Sequence, residues 1–239
     1  MNTKLPELSV FFPFWNEEEN IEKVVEGAIP TLKDVAKEWE IIMVNDGSSD
    51  RTEELGKKLA KKYRNVRLIN HTPNRGYGAA LKTGLTSAKY KYIAFTDGDG
   101  QFEFKEIAKF IDAIKGHDLV IGYRKKRRDH NLWMRLLLMY LLKAWDFLLF
   151  RFYVKDIDCG FKLFKKGAVE QMMPLRAEGA MITTEILAKA KAKNMKIAQV
   201  GVEHYPRKFG QQSGSNLQVI VRAIFESLLL WWDIKYKRF

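Results

Sequence analysis

The first half of the chain alternates short apolar segments with helical segments, and this alternation restricts the fold more than any other feature. Buried strands are predicted over Leu8–Phe14, Ile41–Val44, Val66–Ile69, Tyr90–Thr96 and Leu119–Ile121. Between the first four of them, helices are predicted over Glu17–Val35, Asp50–Arg64 and Tyr77–Ser87. Continuous apolar strands joined by helices are typical of a mostly parallel sheet with helices on both faces. We therefore expect an α/β fold with a Rossmann-like sheet.

The second half of the chain has a different character. It is predicted to contain an apolar helix, two shorter helices, a strand and a final amphipathic helix, over Leu132–Phe152, Val169–Met173, Ile182–Lys193, Lys196–Val202 and Leu217–Tyr236. No segment rich in Pro, Gly and Ser separates the two halves, so a single domain over residues 1–239 is the simplest interpretation.

The charge balance indicates an anionic partner. Lys and Arg number 41 against 29 Asp and Glu, which gives a net charge of +12. Such a chain favours nucleic acid, an anionic membrane surface or a phosphorylated ligand, although a solvated basic surface without any partner is the alternative. The single cysteine, Cys159, fits a reducing compartment. No apolar run reaches the roughly 18 residues that a membrane span needs. A cytoplasmic location, in association with the cytoplasmic face of a membrane, is expected.

Acidic and small polar residues follow four of the predicted strands. They lie in the segments Pro13–Glu17, Asn45–Asp50, Asn74–Gly76 and Asp97–Gln101. Ligands of parallel α/β sheets bind beyond the carboxyl ends of the strands. We therefore expect these four segments to form one site.

Asp97 and Asp99 carry the most specific chemistry among these segments. Two carboxylates separated by one residue can both reach a hard divalent cation, and Mg²⁺ commonly uses one or two carboxylates together with substrate phosphates. Gln101 offers a further oxygen ligand. A polar Asp-Gly turn without any metal is the alternative. Asp46, at the end of its strand, is a candidate for binding a nucleoside, with an Asx-type turn as the alternative.

Several other kinds of site are disfavoured by the same residues. Gly76-Tyr-Gly78 lacks the third glycine of a dinucleotide-binding fingerprint and follows the third strand instead of the first. There is no Gly-Lys-Ser/Thr phosphate loop and no Gly-x-Ser-x-Gly nucleophile elbow. The four histidines are scattered, without the spacing of a zinc site.

Six motifs, taken in order, resemble those of one enzyme family. They are Pro13–Glu17, Val44–Asp50, Asn74–Gly78, Asp97–Gln101, Asp156–Lys162 and His204–Arg207. Together they are similar to family 2 glycosyltransferases of the GT-A fold, and within these to the branch that glycosylates polyprenyl phosphates, such as dolichol-phosphate mannose synthases. The resemblance covers roughly residues 8 to 215.

The resemblance implies a role for each matched residue. A nucleotide sugar, either a GDP-hexose or a UDP-hexose, would be bound by Pro13, Asn16, Glu17, Asp46 and Gly76. The ligands of Mg²⁺ or Mn²⁺ beside the donor diphosphate would be Asp97, Asp99 and Gln101. Arg207 would contact that diphosphate and act in catalysis with the two aspartates. The acceptor phosphate would be bound by Arg124 and Arg135. Residues 8–124 would thus form a nucleotide-binding half, 125–215 an acceptor-binding half, and 216–239 a C-terminal amphipathic helix.

The expected activity is an inverting, metal-dependent transfer of a hexose, of the mannose or glucose type, to a polyprenyl phosphate. A saccharide hydroxyl as acceptor is the alternative. Nucleic acid is not expected as a partner, because acids at the strand ends would repel its phosphates unless a metal intervened. A nucleotidyltransferase would be expected to carry a glycine-rich, basic triphosphate loop near the N-terminus, and none is present.

Basic residues adjoin the apolar helices of the second half. Arg124–Arg128 is a run of five cations immediately before Leu132–Phe152, and Lys235, Lys237 and Arg238 adjoin the end of the last helix. Helices of this composition suit a bilayer interface, where each cation contributes on the order of 1 kcal/mol near anionic lipids. We expect peripheral attachment to the cytoplasmic face of a membrane. The C-terminal membrane helices of many relatives are missing, and a partner membrane subunit in their place is left open.

Overall fold

A computed structural model describes residues 4–125, 145, 147–207, 209 and 217–236 of the chain. Within those ranges the strands are β1 Leu5–Phe14, β2 Ala36–Asp46, β3 Val66–His71, β4 Tyr92–Thr96, β5 Leu119–Arg124, β6 Phe161–Lys165 and β7 Ile197–Val202. The helices are α1 Ile21–Val35, α2 Thr52–Lys62, α3 Tyr77–Ser87, α4 Ile107–Ala113, α5 Lys166–Met172, α6 Ile182–Ala192 and α7 Leu217–Lys235. No helix in these ranges has the length and apolarity that a membrane crossing requires.

The seven strands form one sheet in the order β3-β2-β1-β4-β6-β5-β7. The pairs β3–β2, β2–β1, β1–β4 and β5–β7 are parallel, whereas β6 is antiparallel to both of its neighbours. The predicted mostly parallel sheet is confirmed, but β6 was not predicted. Its sequence Phe-Lys-Leu-Phe-Lys carries two lysines, and one of them, Lys162, is fully buried against expectation for a charged side chain.

The antiparallel insertion of β6 determines which residues lie at the edge of the sheet where β1, β2 and β4 end, the functional edge. Because β6 runs against β4 and β5, those two strands point the same way, and the end of β5 at Arg124 lies at the same edge as Asp46 and Asp97. Phe161 pairs with Thr96, so the loop that precedes β6 also lies at this edge. One edge therefore holds the carboxyl ends of six strands, β1 to β5 and β7, together with the start of β6.

Apolar side chains cover both faces of the sheet, as the sequence predicted. Val10, Phe12 and Phe14 of β1 pack with α1 and α4 on one face, while Phe11 packs with α3 and α6 on the other. The Phe11 and Phe95 rings stack with their centroids 5.1 Å apart. These buried contacts fix the strand ends that carry the polar residues.

Local structure departs from the predictions in three places. The predicted helix over 132–152 lies mostly outside the described residues; positions 147–150 are helical, but Arg151 has a φ of +51° and the chain after it is not helical. The 3-10 turn Phe104–Glu106 and α4 were not predicted. Helix α1 begins at Ile21 instead of the predicted Glu17, and Asn16 precedes it with a φ of +53°.

Candidate active site

A cleft of about 420 Å³ lies at the edge of the sheet where β1, β2 and β4 end. The predicted site residues that line it are Pro13, Glu17, Asp46, Gly76, Asp97, Asp99 and Arg207. The structure therefore brings together residues separated by nearly 200 positions in the chain, as expected for strand ends in a parallel sheet. Phe14, Trp15, Asn74, Tyr77, Ala80 and Gly98 complete the lining.

Asp97 is held from three directions. Its Oδ1 accepts a hydrogen bond of 2.8 Å from the Tyr77 hydroxyl, and its backbone N–H donates to the Gly160 carbonyl at 3.0 Å. A Cβ atom on Gly160 would lie only 1.9 Å from Asp97 Oδ2. The loop before β6 therefore packs directly on the carboxylate, and only a residue without a side chain fits there.

Burial disfavours the ionised forms of both cleft aspartates. Burial, followed by the charge of Asp99, raises the pKa of Asp97 to about 7, although the Tyr77 hydroxyl and the Lys162 ammonium oppose the shift. Burial also raises the pKa of Asp99, against the hydrogen bond that its Oδ1 accepts from the Gln101 N–H at 3.0 Å. Among the described residues, the positive groups near Asp97 and Asp99 therefore do not offset the effect of burial on these two carboxylates.

This deficit fits a divalent cation at Asp97 and Asp99. Carboxylate oxygens are the ligands that Mg²⁺ and Mn²⁺ prefer, and a cation would favour the ionised forms that burial disfavours. Within the described part of the chain, no group of three or more His, Cys, Asp or Glu side chains could hold a metal ion. A cation here would therefore need further ligands from a substrate or from water, as is usual for Mg²⁺.

Arg207 lines the same cleft as the aspartates and is oriented by Glu17. Arg207 Nη2 forms an ion pair with Glu17 Oε1, and the Arg207 Nε donates to the Phe209 carbonyl at 2.7 Å. Burial raises the pKa of Glu17 to about 7, although Asn20 and Arg207 oppose the shift. The guanidinium keeps further N–H groups than these bonds use, and it can donate them to an anion in the cleft.

Asp46 is held by the turn after β3. Its Oδ2 accepts from the Gly76 N–H at 2.8 Å, and its Oδ1 accepts from the Arg75 N–H at 3.0 Å. His71, the last residue of β3, lies with Nδ1 2.6 Å from Asp46 Oδ1. Asp46 is thus a rigidly positioned acceptor at the wall of the cleft.

Two predicted residues lie next to the cleft without lining it. Asn16 accepts a hydrogen bond from the Ser49 N–H at 2.8 Å, and its own N–H donates to Ser48 at 2.9 Å, so it joins the loops after β1 and β2. Gln101 donates from Nε2 to the Tyr205 carbonyl at 2.8 Å. Their predicted contacts with donor and metal stay predictions.

Arg124 and Arg135 were predicted to bind an acceptor phosphate. Arg124 is paired in bidentate fashion with Asp156, from Nε at 2.7 Å and from Nη2 at 2.9 Å, and its side chain is 15% exposed. Its Nη1 takes no part in these two bonds. Arg135 lies outside the described residues.

Sequence reasoning missed three residues that shape the site: Tyr77, Gly160 and His71. Tyr77 and Gly160 lie inside the motifs Asn74–Gly78 and Asp156–Lys162, but no role was predicted for either residue. His71 carried no signal, because its role depends on the pairing of β3 with β2, where His71 stands beside Asp46.

A larger groove of about 800 Å³ lies at the opposite, amino-terminal edge of β2 and β3. Its central carboxylate, Glu40, accepts hydrogen bonds from Ser9 at 2.6 Å, from the Lys89 N–H at 3.0 Å and from Arg67 Nε at 3.0 Å. These groups satisfy each other, so the smaller cleft is the better candidate for chemistry.

Comparison with known proteins relates this cleft to sugar transfer. The model of the family described as glycosyl transferase family 2 matches residues 9–172. A dolichyl-phosphate beta-glucosyltransferase from Dictyostelium discoideum is 34% identical over 252 residues, covering 95% of this chain and 77% of its own. The protein of the same name from Saccharomyces cerevisiae is 31% identical over 241 residues, covering 91% of this chain and 71% of its own.

A solved structure has a similar arrangement of strands and helices. It is the glucosyl-3-phosphoglycerate synthase of Mycobacterium tuberculosis in complex with Mn²⁺, UDP and glucosyl-3-phosphoglycerate. The TM-score is 0.67 at 20% identity, over 95% of this chain and 80% of that one. At this identity the likeness concerns the fold.

Proposed function

Because the chain belongs to glycosyl transferase family 2, we propose that it transfers a hexose from a nucleotide sugar to a polyprenyl phosphate. Membership of the family makes the chain a glycosyltransferase, and the likeness to the solved synthase confirms the predicted GT-A fold. Both relatives named above are dolichyl-phosphate beta-glucosyltransferases, which favours glucose over mannose as the sugar.

One observation carries the proposal: the half-buried carboxylates of Asp97 and Asp99 line the same cleft as the oriented Arg207 and the carboxylate of Asp46. A departing nucleoside diphosphate develops negative charge in the transition state, and pre-positioned positive groups stabilise it there. Arg207, held by Glu17, is such a group. Asp97 and Asp99 would hold Mg²⁺ or Mn²⁺, which, when bound, supplies charge stabilisation to the diphosphate.

The acceptor is proposed to approach from the side of β5. Arg124 ends β5 at the functional edge, and Asp156 fixes its guanidinium plane while Nη1 remains outside that pair. A phosphate monoester is already ionised near neutral pH, so its oxygen can attack without a general base. Attack from the side opposite the diphosphate inverts the anomeric carbon. We propose that residues 8–124 form the half that binds the donor and that residues 125–215 form the half that binds the acceptor.

A panel of substrates tests donor and acceptor together. The protein is incubated with glucose or mannose linked to UDP or GDP, in Mg²⁺ or Mn²⁺, with a short polyprenyl phosphate, the matching polyprenol or a free saccharide. Glucosyl transfer to the polyprenyl phosphate is expected, with the β-anomer as product from an α-linked donor. Transfer to the saccharide but not to the lipid phosphate would contradict the proposal and favour a hydroxyl acceptor.

We also propose that α7 holds the protein at a membrane surface. Five large apolar side chains form an exposed stripe along it: Ile224, Phe225, Leu228, Leu229 and Trp232. Phe225 and Leu229 are 65% and 67% exposed. The opposite side of the helix packs on the domain through Leu230 and Ser227, so the stripe faces outward. The cytoplasmic side and a separate membrane subunit stay predictions.

Sedimentation with anionic vesicles at physiological salt tests this surface. We expect the protein to pellet with the vesicles, and we expect the double variant Phe225→Ser, Leu229→Ser to bind at least about tenfold more weakly, since each buried large apolar side chain contributes roughly 1.5–3 kcal/mol. The double variant Glu54→Ser, Lys58→Ser keeps the net charge and serves as control. Protein that stays in the supernatant at every lipid concentration would contradict the proposal.

A further inference from the structure

Asp46 and His71 form a buried pair at the ends of neighbouring strands. They stand opposite each other in the β2–β3 register, and the side chain of each is 5% exposed. His71 Nδ1 is 2.6 Å from Asp46 Oδ1, and Nε2 is 2.9 Å from the Thr83 hydroxyl. Because a carboxylate only accepts, Nδ1 must carry the proton that joins the pair. The ring is therefore fixed in orientation between α3 and the wall of the cleft.

The contacts of Asp46 leave little of its capacity for a ligand. An ionised carboxylate accepts about four hydrogen bonds, two on each oxygen. Among the described residues, Oδ1 accepts from His71 and from the Arg75 N–H, whereas Oδ2 accepts from the Gly76 N–H. Oδ1 is thus filled, and the remaining acceptor position is on Oδ2.

Uracil and guanine make different demands on such a carboxylate. The pairing edge of uracil has a single imide N–H donor between two carbonyl groups. The pairing edge of guanine has two adjacent donors, N1–H and the N2 amino group, which a carboxylate accepts best with one oxygen each. A carboxylate with one oxygen already filled can satisfy the first base but not the second.

We propose that His71 makes Asp46 selective for a uracil nucleotide over a guanine nucleotide. The inference rests on the proposed function for the placement of the donor in this cleft. His71 acts through Asp46, by filling Oδ1, and is a positioning residue. Without its N–H, Oδ1 regains an acceptor position and the selectivity falls.

The test compares the dissociation constants of UDP and GDP by titration calorimetry at a fixed Mg²⁺ concentration. Ribose, diphosphate and metal are common to both nucleotides, so the ratio of the two constants reports on the base. The unaltered protein is expected to bind UDP at least about tenfold more tightly than GDP, which corresponds to about one hydrogen bond. Equal binding, or tighter binding of GDP, would overturn the proposal.

Two variants separate the role of the N–H group from that of the ring. In His71→Asn the side-chain amide can still donate to Oδ1, and the ratio is expected to stay within about threefold of the original. In His71→Leu no donor remains, and the ratio is expected to fall about tenfold. An unchanged ratio in the leucine variant would refute the role of His71. Should that variant fail to fold, ¹⁵N spectra of labelled histidine in the unaltered protein test the same hydrogen bond. A His71 Nδ1 without a proton could not donate to Asp46 Oδ1, and this result would refute the role of His71.

The failure of this inference differs from the failure of the proposed function. A protein that prefers GDP but glycosylates the polyprenyl phosphate refutes base selection alone. A protein that prefers UDP, loses that preference in His71→Leu and transfers nothing to the lipid phosphate refutes the proposed acceptor alone.

Discussion

Replacement of Gly160 by alanine is expected to reduce sugar transfer about a hundredfold or more while the protein still folds. The added Cβ would lie 1.9 Å from Asp97 Oδ2 and 2.3 Å from its Cγ, closer than any real contact. The carboxylate is the free end of a side chain, so it can turn away and let the backbone remain in place. A displacement of about 1 Å in a catalytic group commonly costs about two orders of magnitude in rate.

The control for this variant is Gly167→Ala in α5. A Cβ on Gly167 would meet nothing within 4 Å, so transfer is expected to change by less than about twofold. Both variants are compared by kcat/KM and by thermal unfolding. If Gly160→Ala keeps full activity with an unaltered unfolding transition, Asp97 does not need its present position and the assignment of the site fails.

Replacement of Asp99 by asparagine is expected to have a similarly large effect, with kcat/KM reduced at least about a hundredfold. Asparagine has nearly the same size and keeps one carbonyl oxygen, but it removes the negative charge that a cation requires. The charge that raises the pKa of Asp97 is also removed, so the pKa of Asp97 is expected to move downward.

Metal affinity is measured directly on the same variant, by the paramagnetic resonance of free Mn²⁺ in the presence of UDP. The affinity is expected to fall in parallel with the rate. Asp34→Asn alters an exposed carboxylate on α1 and is the matched control. Normal Mn²⁺ binding together with normal transfer in Asp99→Asn would show that this carboxylate is not a ligand.

Much of the sheet and the composition of the cleft could be predicted from local sequence. The runs that became β1, β2 and β4 are mostly apolar, with Ser9 as a polar exception in β1, and such runs are typical of strands buried on both faces of a covered parallel sheet. Asp46 and Asp97 follow these runs directly. Their convergence then required only the rule that parallel strands end at one edge. The family resemblance supplied Arg207, which has no local signal of its own.

Local sequence did not predict which side chains from distant parts of the chain contact each other. Arg124 was expected to bind an acceptor phosphate, and its pairing with Asp156 at 2.7 Å, next to the point where β6 inserts beside β5, was not predicted. Lys162 looks like a surface residue in sequence, but it is buried and donates to the Cys159 carbonyl at 2.6 Å. Both outcomes depend on the antiparallel strand β6, which was not predicted because two of its five residues are lysines.

The sequence by itself determined most of the strands and helices, though not β6 or α4, and the chemical groups at the strand ends, because burial and backbone geometry act over a few neighbouring residues. Only the tertiary structure decided which of those groups are already satisfied. His71 fills Asp46 Oδ1, and Gly160 packs against Asp97 Oδ2. A hydrogen bond depends on distances of a few tenths of an ångström between residues far apart in the chain, and only the folded sheet sets those distances.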